Sequence, residues 1–182
     1  MTDPSGEDVF PDVTVPDDLS GLDDATAAPD APRPVAVVVT QVGAAEPLAA
    51  ACALAGLEVD AVLSGIGVFV VCRDTSPGAP QRVAETLTRA MSGLPAILLE
   101  RRDDRITAHR WLDGVQGDKL APAIVLGGAP DALENLLLGV ETVDELPGVV
   151  SSVGMGRFAA MRALASTARA AKRSAKKKGK AS

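Results

Sequence analysis

The chain has 182 residues, 47% of them hydrophobic but only 2% aromatic, with no Tyr and a formal net charge of -6. One His and two Cys set 20 positions apart make a Cys/His zinc site a poor expectation, and no apolar run approaches the ~20 residues that cross a bilayer. The charge is sorted: residues 1 to 32 hold nine acids and no Lys or Arg, while residues 157 to 182 hold nine bases and no acid.

Residues 1–33 carry five Pro among the acids and few apolar side chains, so a disordered acidic tail is expected. This start is unlike a secretory or transit peptide, and Cys52 and Cys72 read as reduced, buried thiols; a cytoplasmic protein without a membrane partner is expected. Residues 34–150 have the length of one globular domain.

Val35 to Thr40 is a β-branched run and reads as a buried strand. Glu46-Pro47 opens a helix that Gly56 can end. The segment from Glu58 to Arg73 reads as a hairpin turning at Gly65-Ile66. That register puts Val59, Ala61, Leu63, Val68, Val70 and Cys72 on one face, and Val62, Phe69 and Val71 with Glu58, Asp60 and Arg73 on the other.

A helix follows with Val83, Leu87, Ala90 and Met91 at helical spacing. Ala96 to Glu100 and Ile106 to Leu112 then form a second hairpin turning at Asp103-Asp104, with Arg102 opposite Arg105. Ile97, Leu99, Ile106 and Ala108 share its apolar face; Leu98, Glu100, Thr107, His109 and Trp111 share the mixed one. The order predicts an α+β fold, a ferredoxin-like β-α-β-β-α-β sheet with helices on one face and a C-terminal helical extension. A doubly wound α/β sheet is the alternative.

Gly114 to Pro122 reads as a loop, Ala123 to Leu126 as a short strand or helix start, and Asp131 as the cap of a Leu-rich helix. A C-terminal amphipathic helix is expected over residues 151–169, with Met155, Phe158, Met161 and Leu164 recurring every three positions. Residues 170–182 are expected to be a disordered basic tail, because Ala, Ser, Lys and Arg gain little from packing.

Two surfaces follow as candidates. The bases Arg169, Lys172, Arg173, Lys176, Lys177, Lys178 and Lys180 form a polyanion-binding tail. Its alternation of Ala with Lys and Arg resembles the basic arms of nucleoid and ribosomal proteins in composition, which implies nucleic acid or another acidic partner. The second is an interaction surface, either Phe69, Val71, Leu98, His109 and Trp111 on an uncovered sheet face or the C-terminal stripe with Met155, Phe158 and Met161. It suits a homodimer or a protein partner.

Catalytic spacing is absent from the sequence, with no G-x-S-x-G elbow, H-E-x-x-H pair or paired-cysteine motif, and no cofactor or metal is implied. The glycines of Ser64 to Val71 echo an RNA-recognition strand, but its stacking positions hold aliphatic Ile66, Val68 and Val71. The expectation is a non-enzymatic interaction or regulatory module. The alternative is a small-molecule-binding domain or enzyme using His109, Arg110 or Glu100 in a pocket between sheet and helices.

Overall fold

The computed structural model describes residues 33–178, with side chains through Arg169. The acidic tail up to position 32, and Lys180, lie outside the described residues. The fold is α+β, built on an open antiparallel sheet of seven strands. In chain order the elements are β1 (Val35–Thr40), α1 (Ala45–Leu54), β2 (Val59–Ser64), β3 (Gly67–Cys72), α2 (Ala79–Ala90), β4 (Ala96–Arg102) and β5 (Arg105–Leu112). Then come β6 (Val115–Leu120), α3 (Pro122–Leu126), α4 (Asp131–Leu138), a single 3-10 turn at Val143–Glu145, β7 (Val150–Ser151) and α5 (Arg157–Lys178). The strands lie in the order β6-β5-β4-β1-β3-β2-β7. Seven strands exceed the four of a ferredoxin-like sheet, and the doubly wound alternative fails because every neighbouring pair is antiparallel.

Both hairpins take the register that their turn residues predict. Ser64 pairs with Gly67 and Val62 with Phe69, while Arg102 pairs with Arg105 and Leu98 with His109. Asp103 and Asp104 both adopt positive φ, at 50° and 57°, as a two-residue primed turn requires. Gly67 has φ +124°, and a Cβ there would collide with the Thr40 carbonyl and crowd Gln41. Only glycine lets the β2–β3 turn lie flush against the end of β1.

The expectation of helices on one face is corrected: the sheet is covered on both. On one side α1 and α2 bury Leu48, Ala49, Cys52, Val83, Ala84 and Leu87 against Val59, Val68, Val70, Leu98 and Trp111. On the other, Leu133, Leu136 and Leu137 of α4 pack on Val37, Val62, Phe69, Val71 and Leu99. Each fully buried Leu contributes about 1.5–3 kcal/mol relative to exposure. The relative facing of the hairpins is corrected as well. The apolar face of the first and the apolar face of the second lie on opposite sides of the sheet, because β1 stands between β3 and β4 and fixes Val71, Val37 and Leu99 in one row.

Residues expected as a loop beyond Gly114 instead form β6. Asp113 (φ 50°) and Gly114 (φ 80°) make a second primed turn, and α2 holds it: Gly114 N–H donates to Thr88 Oγ1 at 3.0 Å and Gly93 N–H to Asp113 Oδ1 at 2.7 Å. α4 ends at Gly139 in the left-handed conformation, and the buried Arg101 clamps it there. Arg101 Nη1 donates to the Leu138 carbonyl and Nη2 to the Arg33 carbonyl, each at 2.8 Å. A cation at a helix C-terminus is well placed against the helix dipole.

Candidate functional site

α5 is the first candidate. Its lead-in is fastened by Ser152, whose Oγ accepts from Val59 N–H at 2.8 Å while its own N–H donates to the Val59 carbonyl at 2.9 Å. α5 then packs on α1 through small residues, with Ala160 and Ala163 buried against Ala50, and Ala53 and Leu164 alongside. α1 therefore carries apolar side chains on two sides, Leu48, Ala49 and Cys52 toward the sheet and Ala50 and Ala53 toward α5.

This packing divides the expected stripe. Leu164 and the half-buried Met155 face the body, whereas Phe158 and Met161 are left 88% and 62% exposed. Alanine makes the buried centre of the contact, with Leu164 and Met155 packed against it, because it lets two helix backbones approach closely. The backbone of α5 continues to Lys178, carrying six of the seven bases of the polyanion set from Arg169 onward. Arg169 is exposed; the side chains of Lys172, Arg173, Lys176, Lys177 and Lys178 lie outside the described residues.

The sheet-face residues take other places. Phe69 and Leu98 are 1% exposed and lie on opposite sides of the sheet, Phe69 with Val71 beneath α4, Leu98 with Trp111 beneath α1 and α2. His109 is half-buried on β5, and its register places it opposite Lys119 of β6. These five side chains do not form one open surface, because α4 supplies from within the chain the cover that a partner was expected to supply.

Two clefts hold the remaining polar candidates. One, of about 580 Å³, lies between the start of α2 and the β4–β5 hairpin and is lined by Gln81, Glu100, Arg102, Arg105 and Thr107. Glu100 Oε2 accepts from Gln81 Nε2 at 2.8 Å, and Arg102 donates to the Thr75 carbonyl at 2.6 Å. The other, of about 300 Å³, is walled by Val39, Ile66, Ile97, Leu120 and Val125, with Gln41 and Arg110 also lining it. So Glu100 and Arg110 serve different clefts, and His109 lines neither. Sequence reasoning did not find the second cleft, since its walls come from five separate elements.

Burial pushes both thiols, Cys52 and Cys72, up to about 12. Among the described residues no three His, Cys, Asp or Glu side chains gather into a group that could hold a metal ion. Nor is any described helix long and apolar enough to cross a membrane. Compared with known protein families, curated proteins and solved structures, the chain matches none.

Proposed function

We propose that the chain is a non-enzymatic interaction module whose docking element is α5. The basic part of the helix attaches weakly to nucleic acid phosphates, and Phe158 and Met161 meet a second copy of the chain. One observation carries this reading: α5 is pinned through alanines and Leu164 and turns Phe158 and Met161 outward, ahead of a run of bases without an acid. Two apolar side chains at 88% and 62% exposure gain from burial against a partner. A cytoplasmic location belongs to the same reading and is supported by the two unpaired, buried thiols. We also read β4-β1-β3-β2 as a ferredoxin-like unit, extended by β5 and β6 on one edge and β7 on the other; the strand order supports it.

A salt titration on random duplex DNA tests the basic part, comparing the full chain with one ending at Leu164. The full chain is expected to bind with a dissociation constant on the order of 10⁻⁴ to 10⁻⁶ M and a log–log salt slope of at most roughly -6. Equal affinity of the two chains removes α5 from nucleic acid binding. Light scattering on the Phe158→Ser/Met161→Ser variant tests self-association; an unchanged mass rejects it.

A second reading, a small-molecule-binding domain, is favoured by one observation: two of the three polar candidates, Glu100 and Arg110, line clefts.

A further inference from the structure

The smaller cleft exists because the second apolar layer is too short for the sheet it covers. α4 has eight residues, so it is about 12 Å long. It lies over the row formed by Val71, Val37, Leu99 and Ala108, neighbours across β3, β1, β4 and β5. The next row on the same face is Phe69, Val39, Ile97 and Arg110. Phe69 is buried, Val39 and Ile97 are partly buried, and Arg110 is exposed. The row therefore runs from a dry end to a charged end.

Three elements build walls around this row. The β2–β3 turn is held against the end of β1 by the side-chain-free Gly67 and by Thr40, whose Oγ1 donates to the Val68 carbonyl at 2.8 Å. That close approach brings Ile66 to the cleft, although it remains 41% exposed. Leu120 of β6 and Val125 of α3 supply the other walls. The result is a cavity of about 300 Å³ with mostly aliphatic walls, at the small end of the range for ligand sites.

Its charge is one-sided. Arg110 is the charged side chain among the lining residues, and it makes no ion pair among the described residues. Gln41, exposed in the lining two residues beyond Val39, adds a neutral amide at the other end. An aliphatic surface graded toward a guanidinium complements a molecule with an apolar chain and an anionic head. The span from Val39 to Arg110 is two strand spacings, about 10 Å. A linear chain of about eight carbons, with bonds near 1.5 Å, covers it.

We propose that this cleft binds a medium-chain aliphatic carboxylate, its tail along Val39 and Ile97 and its head on Arg110. This deepens the small-molecule reading and is independent of α5; its failure leaves the DNA titration untouched. The test is calorimetric titration of the full chain with octanoate, octanol and octylammonium. Octanoate is expected to bind about tenfold more tightly than octanol, and octylammonium more weakly than either. Arg110→Gln should erase the octanoate preference while leaving octanol binding in place. Ile66→Glu, at an exposed turn, should abolish octanoate binding, whereas Leu63→Glu, outside the lining, should not. Amide shifts on titration should centre on Val39, Gln41 and Ile97. No octanoate binding at millimolar concentration, a preference that survives Arg110→Gln, or shifts centred elsewhere would each overturn the proposal.

Discussion

Asp60 and Arg73 form a two-bonded ion pair across the β2–β3 hairpin, with Nε to Oδ2 at 2.7 Å and Nη2 to Oδ1 at 2.9 Å. The Asp60 side chain is 2% exposed, while that of Arg73 is 43% exposed. The hydrogen bond to Asp60 also holds the guanidinium above its usual pKa. This pairing is what lets a carboxylate stand beside Val62 and Val71 under the second helix layer.

Removing the cation should therefore cost more than removing both partners. Arg73→Met leaves a buried carboxylate unpaired. The expected loss is about 2–3 kcal/mol, below the roughly 3–5 of a fully buried pair because water reaches Arg73. The double variant Asp60→Asn/Arg73→Met should recover part of that loss. Urea unfolding midpoints at constant slope measure both.

Phe69 and Phe158 make an opposed pair of tests. Phe69→Ala opens a cavity beneath α4 and should destabilise by about 3–5 kcal/mol. Phe158→Ala trims a side chain left 88% exposed and should stay within about 0.5 kcal/mol. Comparable thermal shifts for the two would contradict the burial of one and the exposure of the other.

At Gly67 both the dihedral and the space are restrictive. Gly67→Ala should lose at least about 1–3 kcal/mol from strain alone, before the Thr40 carbonyl is displaced. Gly65→Ala, with nothing within 4 Å of the added methyl, is the matched control and should change little. Chemical denaturation of the two variants decides it.

The thiols give a pH dependence. Burial raises both Cys52 and Cys72 from 9.0 to about 12, so the folded chain keeps protons that the unfolded chain releases. Their contribution to stability is complete below pH 9.0 and is lost as pH climbs toward about 12. The Cys52→Ala/Cys72→Ala variant should show a shallower alkaline decline in melting temperature. At pH 8 the native chain should resist alkylation by iodoacetamide, and both thiols should label after unfolding in urea.

The hairpins were readable because turn residues and alternation act locally: Gly65-Ile66 and Asp103-Asp104 set each register without help from the rest of the fold. How one hairpin faces the other was not readable, since β1 lies between them and contributes its own alternation to the row. β6 was hidden for a different reason. Val115 to Lys119 are all exposed, so no burial pattern marks the strand, and Gly117 weakens its propensity. The Asp113-Gly114 pair was the available signal, and it is a strong one for a tight hairpin. For α5, large apolar spacing pointed toward Phe158 and Met161 as well as Leu164. The helix instead settled through Ala160 and Ala163, because α1 offers only alanines there. The octanoate-sized cleft had no local signature, being assembled from residues that alternation assigns to unrelated elements.

The single guanidinium of Arg101 joins the threshold of the fold, at residue 33, to the far end of α4. Loss of that guanidinium would therefore leave the carbonyl at residue 33 and the one at the end of the helix that roofs Phe69 without their donor together. The doorstep and the roof of this molecule share one fastener.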